Sequence, residues 1–380
     1  MKIRYMIHVA IVVAVVMVMG HVVEMEIKNI NANNNTKIHK RKFGVQWHIT
    51  TKCDQDCIHC YIKDEKTYRQ ESKEILNFDR CKQIIDSLTD FSKKLNANPS
   101  ITFTGGDPLL HKDFFDIAKY AKEKGSVISI LGNPYNLDNE KILKLKNLGI
   151  RGYQISIDGM KEMHDNFRKI GSFERSVKAI NDLKDYGIRT VVMYTISKQN
   201  AEDLIPVMRL VNDLGVDAFA FARACGFGNG KNLEMFTPKE YRNILLKAYE
   251  EEKNIKRKGS KTTFNKKDHL WTLLLTEIGE LNYKRTEDGL IYGGCSIGIN
   301  SFSILADGTA FACRRFYSPI GKVPEQSIED IFLSEELNKY RNTLFEKCTE
   351  CDLLQYCRGC PAVAYGNSGN FSSPDPQCWK

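Results

Sequence analysis

Residues 53–60 read CDQDCIHC, three cysteines in eight residues with the spacing Cys-x3-Cys-x2-Cys, directly behind the apolar run QWHIT at 46–50. A structural zinc site takes four ligands, and a catalytic one takes three plus water. A [4Fe–4S] cluster held by three thiolates leaves one iron free for a small-molecule ligand. Spacing alone leaves both open. What surrounds the stretch is more informative. The run before it is the first of six β-rich runs, at 44–50, 100–104, 127–131, 153–157, 190–196 and 218–222. Amphipathic stretches of helical period lie between them, at 78–95, 111–124, 140–148, 172–186 and 201–214. Lys124-Gly125 and Tyr186-Gly187 carry C-cap chemistry. Six strand–helix alternations predict an α/β fold with a parallel sheet and external helices. They are too few for a closed eight-unit barrel, so a partial (β/α)6 barrel or a doubly wound sheet is expected. Both place their chemistry at the carboxyl ends of the strands, where CDQDCIHC sits.

The rest of the composition narrows the class. The chain has 380 residues, 42% apolar and 27% charged, enough for a normal core. Its 55 basic and 47 acidic residues are interspersed, for a net charge of +8, and no arginine-rich run supports a nucleic-acid partner. Twelve cysteines are many, and they are grouped: three at 53–60 and seven between Cys295 and Cys378. A chain of this length needs no disulfide staples, so grouped Cys-x2-Cys pairs read as metal ligands in a reducing compartment. Cys81 falls in a helical pattern and reads as a buried small hydrophobe; Cys225, past the sixth strand, reads first as a loop cysteine, with its strand-end position leaving the active-site rim or a cluster ligand as the alternative. The first 42 residues hold an apolar run at about 6–19 behind Lys2 and Arg4, then a polar linker. That run is short for a membrane span. It reads as translated sequence upstream of a start at Met25 or as a marginal anchor; as an export signal it would separate the cysteines from their metal supply. The expected localisation is cytoplasmic, or membrane-associated through this segment.

The second strand end reads ITFTGGDPLL, 101–110. Gly105 and Gly106 remove side chains where a backbone must approach closely. Behind Cys-x3-Cys-x2-Cys this turn resembles that of the radical S-adenosylmethionine (SAM) enzymes, whose triad is followed by a Gly-Gly-Glu-Pro-like turn; here the aromatic position is His59 and the acid is Asp107. The resemblance covers about residues 43–225. It implies that Cys53, Cys57 and Cys60 hold a [4Fe–4S] cluster and that Gly105, Gly106 and Asp107 bind the SAM amino group. Later strand ends agree with it. GNPYN (132–136) supplies Asn133, QISIDG (154–159) supplies Ser156 and Asp158, and HDNFRKIGSFE (164–174) supplies Arg168, able to pair with a carboxylate. Each has a plainer reading: Ser156 as a core hydroxyl, Arg168 as a surface charge, His164 as a helix cap.

The C-terminal cysteines follow the order Cys295, Gly308, Cys313, Cys348-x2-Cys351-x5-Cys357-x2-Cys360, Cys378. This resembles the SPASM extension of radical SAM enzymes, with the last internal spacing one residue short. The resemblance implies one or two auxiliary [4Fe–4S] clusters, an outer one on Cys348, Cys351, Cys357 and Cys378 and an inner one on Cys295, Cys313 and Cys360. A pair of zinc-ribbon-like sites is the alternative. Asp307-Gly308 between two strand runs predicts a hairpin that brings Cys295 and Cys313 together. The expected domains are an apolar segment and linker (1–42), a radical SAM core (43–228), a helical connector (229–292) and a small C-terminal cysteine-rich iron–sulfur domain (293–380). The expected activity is reductive cleavage of SAM to a 5′-deoxyadenosyl radical that oxidises a peptide or protein substrate. It would need an electron donor such as flavodoxin or ferredoxin, and a separate leader-binding protein could present the peptide. A tetrapyrrole or other small-molecule substrate, and a non-catalytic iron–sulfur or zinc protein, are the alternatives.

Overall fold

A computed structural model describes residues 41–65, 67–286, 291–341 and 345–380. The apolar N-terminal run and the Met25 start lie outside them. Ten strands make one sheet: β1 (Arg41–Thr50), β2 (Ala97–Gly105), β3 (Val127–Leu131), β4 (Gly152–Ser156), β5 (Thr190–Ile196), β6 (Ala218–Arg223), β7 (Thr263–Asn265), β8 (Ser301–Ile304), β9 (Thr309–Phe311) and β10 (Pro319–Lys322). Their order is β10-β9-β8-β1-β2-β3-β4-β5-β6-β7. β1 to β7 run parallel in sequence order, as the partial barrel requires, and β8 adds parallel to the free edge of β1.

The two faces of the sheet are told apart by side-chain size and burial. Along β5, Thr190, Val192, Tyr194 and Ile196 are buried, whereas Val191, Met193 and Thr195 are half-buried. Helices Phe78–Lys94, Phe114–Glu123, Asn139–Asn147, Ser172–Asp185 and Leu204–Asp213 lie outside the sheet and bury Leu88, Ile117, Leu145, Leu183 and Val207. The half-buried set faces an open bore with polar lining: Gln46, Thr102, Ser129, Gln154 and Ser156 have the same intermediate exposure on their strands. The helices start and stop where the sequence puts polar caps. Asn77 accepts from Arg80 N and Asp138 from Lys141 N, and Gly125 and Gly187 take φ of 84° and 73° after their helices.

Two features go beyond the six expected strands. The segment read as a helical connector holds the helix Pro238–Arg257, and also β7, whose three residues pair with Ala218, Phe219 and Ala220. The predicted hairpin forms at β8–β9, with Gly308 at φ 87°, and is stitched onto β1 rather than standing apart. Two buried arginines join the C-terminal region to the barrel. Arg223, at the end of β6, donates from Nε to Asp268 Oδ2 (2.9 Å), from Nη1 to Asp375 Oδ1 (2.6 Å) and from Nη1 to Gln377 Oε1 (2.7 Å). Arg314 donates from Nη2 to Glu71 Oε1 (2.6 Å) and to Ile62 O (3.1 Å).

Candidate active site and iron–sulfur centres

The loop that carries Cys53, Cys57 and Cys60 leaves β1 and is pinned at once by the β2 turn. Gly106 N donates to Thr50 O (2.8 Å) and Asp107 N to Lys52 O (2.7 Å). A Cβ on Gly105 would stand 2.2 Å from Thr50 O, and one on Gly106 would stand 2.0 Å from Lys52 O. The two glycines therefore let β2 close on the backbone just before Cys53, and these N–H groups are spent on that contact. Gly106→Ala is expected to push the triad loop aside at a cost of about 1–3 kcal/mol. It should also cut iron retained by a chain whose C-terminal cysteines are replaced; iron analysis and a denaturant midpoint check both.

The Asp107 carboxylate is fully buried, accepts from Leu109 N (3.3 Å) and Asn136 Nδ2 (2.8 Å), and burial raises its pKa to about 6. It shapes the turn from within. Asn133 is buried, and its Nδ2 donates to Cys53 Sγ at 3.6 Å. Burial raises the Cys53 thiol, and it raises the Cys57 thiol further, to about 12, against the opposing pull of Arg168. Arg168 Nη1 lies 3.7 Å from Cys57 Sγ and donates to Gln55 Oε1 at 3.2 Å. Its Nε meets Asp158 Oδ2 at 2.5 Å.

Asp158 is fully buried and takes a second bond from Thr195 N (2.7 Å). Burial works to raise its pKa, but Arg168, helped by His59 and His164, outweighs that and holds it below the usual carboxylate range. The Asp158 carboxylate is thus occupied in holding Arg168 beside the thiols. His59 joins the same group, with Nε2 3.4 Å from Asp158 Oδ2 and the ring against Phe167; burial lowers its pKa to about 4. Ser156 faces the bore, in register with Met193 of β5. Gln55 and Asn136 gave no signal of their own in the sequence. His164 is no helix cap: its Nδ1 accepts from Asp158 N (3.0 Å) and its Nε2 meets Ser172 Oγ (2.7 Å). Gln55 stood inside the quoted stretch as a spacer.

All twelve cysteines are free thiols. Cys348, Cys351, Cys357 and Cys378 line one hollow, with Leu270 and Leu353, enclosing about 370 Å³ of empty space including its open side. Cys295, Cys313 and Cys360 lie close enough to disfavour one another's ionisation, and burial raises Cys295 to about 11 and Cys313 to about 12. Among the described residues no group of three or more His, Cys, Asp or Glu draws together for a single metal ion. Three thiol sets, each with a guanidinium near it, fit a cationic iron–sulfur core that would make thiolates of them. Cys81 is buried in its helix as expected.

Residues 47–211 match the radical SAM superfamily, and residues 295–361 match the SPASM iron–sulfur cluster-binding domain. The chain is 30% identical to an Fe-coproporphyrin III synthase of Methanosarcina barkeri, over 89% of this chain and 88% of that one. It is 29% identical to an AdoMet-dependent heme synthase of the same organism, over 88% of this chain and 95% of that one. Among solved structures it is similar to Streptococcus suis SuiB bound to S-adenosylmethionine, with a TM-score of 0.71 at 16% identity, covering 90% of this chain and 78% of that one. That last likeness concerns the fold. Paired strand-end cysteines, the partial barrel and these full-length similarities have one reading: the chain belongs to the radical SAM superfamily and carries a C-terminal SPASM iron–sulfur domain.

Proposed function

We propose that the chain oxidises a carboxylate-bearing tetrapyrrole with a radical made from SAM. In this reading Cys53, Cys57 and Cys60 hold the SAM-binding cluster, and the seven C-terminal cysteines hold auxiliary ones. Once bound there with SAM and an external electron, that cluster supplies a 5′-deoxyadenosyl radical able to take hydrogen from an unactivated C–H bond. The chain's own residues hold the parts in place. Asn133 donates to the Cys53 sulfur, Arg168 offsets charge at Cys57, and Asp158 fixes Arg168. The half-buried Ser156 and Gln154 give the bore a polar lining.

The observation that carries the substrate class is Lys267. It lies two residues past β7, on the bore side, with Nζ 3.7 Å from Met193 Sδ. Its side chain is exposed, yet the surrounding walls strip enough water from the ammonium to lower its pKa to about 8, with Arg315 adding to the effect. Among the described residues no carboxylate pairs with it. A lysine held in a bore without an anion awaits one from the substrate, and a propionate supplies it. The relatives aligned over nearly their whole lengths are named for porphyrin products, which favours a tetrapyrrole over the peptide that the SPASM pattern first suggested.

The test is an absorbance titration of the anaerobic full-length chain with iron coproporphyrin III and with its methyl ester. A charge-assisted contact is worth about 1.5–3 kcal/mol, so Lys267→Met should weaken binding of the acid roughly tenfold or more and leave the ester unchanged. Acid and ester binding equally, or 5′-deoxyadenosine formation stimulated by a short cysteine-rich peptide and not by the porphyrin, would return the substrate to the peptide class.

A further inference from the structure

The inner auxiliary group has three cysteines from the SPASM pattern, and a fourth thiol from the barrel stands next to them. Cys225 lies two residues beyond β6 and is 5% exposed. It shares one apolar cluster with Cys360, Phe316, Ala362 and Val363, and Cys313 packs against the same cluster. Arg315, two residues from Cys313, lies near enough for its charge to act on Cys225, Cys360 and Cys313 together. Its Nη2 also donates to Arg223 O (2.7 Å), which fixes the guanidinium at the end of β6. One guanidinium charge therefore acts on the barrel thiol and on two SPASM thiols at once.

The backbone around Cys225 is held tightly in this position. Ala224 N donates to Ile196 O (2.8 Å) and Phe227 N to Cys225 O (2.7 Å). Gly226 is pressed on Gly366 of the helix Pro361–Ser368, whose N-cap is Cys360: a Cβ on Gly226 would stand 2.8 Å from Gly366 O, and one on Gly366 would stand 2.5 Å from Gly226 N. The side chains missing from both glycines are what allow the Cys225 loop and the Cys360 helix to meet. A cysteine kept only as a small hydrophobe would need neither this close approach nor a guanidinium charge beside it.

We propose that Cys225 is the fourth thiolate ligand of the inner auxiliary cluster, with Cys295, Cys313 and Cys360. This rests on the reading that those three hold a cluster. Four thiolates give a [4Fe–4S] core a net negative charge, and Arg315 offsets it inside the apolar cluster. The inner cluster then has no iron open to substrate, and its role is to take up or pass on an electron rather than to ligate a substrate group. The same loop continues to Asn229, whose N donates to Cys60 O (3.0 Å) and whose Nδ2 donates to Cys57 O (3.2 Å). One short segment would thus ligate the inner cluster and brace the SAM-binding triad.

The experiment uses the full chain with Cys53, Cys57 and Cys60 replaced by Ala, which removes the cluster that is open by design. After anaerobic reconstitution and mild ferricyanide oxidation, this chain should keep its auxiliary iron and give no three-iron EPR signal. Adding Cys225→Ala should leave one iron of the inner cluster without a protein ligand, so the oxidised sample loses iron and gains the [3Fe–4S] signal. Adding Cys225→Ser instead should retain the iron with a shifted EPR spectrum, because a serine oxygen replaces the sulfur. The proposal is overturned if Cys225→Ala leaves iron content and spectrum unchanged in a monodisperse, folded chain. It is equally overturned if the three-iron signal is present before Cys225 is touched. A triad-free chain that takes up no auxiliary iron at all sinks the parent reading of the C-terminal cysteines, and this proposal with it.

Discussion

Replacing Cys53, Cys57 and Cys60 together with alanine is expected to reduce 5′-deoxyadenosine formation to the buffer background while the C-terminal sites keep their iron. The three thiols share one loop, in which Asn133 donates to Cys53 and Arg168, held by Gln55 and Asp158, donates to Cys57. The seven C-terminal thiols lie elsewhere, Cys295 and Cys313 on either side of the β8–β9 hairpin and the rest on segments 348–360 and 375–378. Alanine is close to cysteine in volume, and a neutral buried thiol adds little stability, so the fold should survive. Iron and sulfide analysis, together with SAM cleavage under dithionite, checks the two halves separately. A triple variant that still makes 5′-deoxyadenosine would move the radical chemistry away from this loop.

The second large effect is on stability. Arg223→Met should cost about 3–5 kcal/mol, because it leaves Asp268 and Asp375 as buried carboxylates with no cation. At present Arg223 holds the Asp268 pKa down to about 2 against the opposing effect of burial. Asp375 Oδ2 also accepts from Cys360 N (2.9 Å), so losing Arg223 loosens the joint on which the C-terminal thiols are set. Arg223→Lys keeps the charge but not the fork that serves two carboxylates and Gln377, and should fall between. The midpoint of chemical denaturation, followed by circular dichroism under anaerobic conditions, gives the comparison. A methionine variant with the native midpoint would show that the network contributes nothing net.

The alternation of apolar runs was enough to read β1 to β6 and their helices, because each pairing there joins neighbours in sequence and each helix has a cap and an apolar stripe. β7 was not legible: three residues, TFN, carry too little pattern, and only pairing with Ala218–Ala220 makes them a strand. The attachment of β8 to β1 is a long-range choice that no local signal announces. In the site, residue types with one chemistry were found by spacing, as the cysteines were. Asp107 and Asp158 were read from the family resemblance as cofactor contacts; the fold adds that both carboxylates also hold neighbouring side chains and turns. Gln55, Asn136 and Lys267 gave no signal, since an amide or a lysine acquires its role only from what the fold puts opposite it. Cys225 gave a signal, a thiol at a strand end, but its companions lie far along the chain.

The pairing of β8 with β1 also sets an order of assembly. Trp47 is paired with Phe103 on one side and with Ile304 on the other. A ribosome delivers the first partner early and the second only after most of the chain has been made. Until then one edge of β1 is a row of free N–H and C=O groups, the kind of edge that recruits a strand from a neighbouring chain. The strand leading into the triad loop therefore keeps one free edge until β8 has been made, and a chain ending before β8 would leave that edge open to a strand from a neighbour.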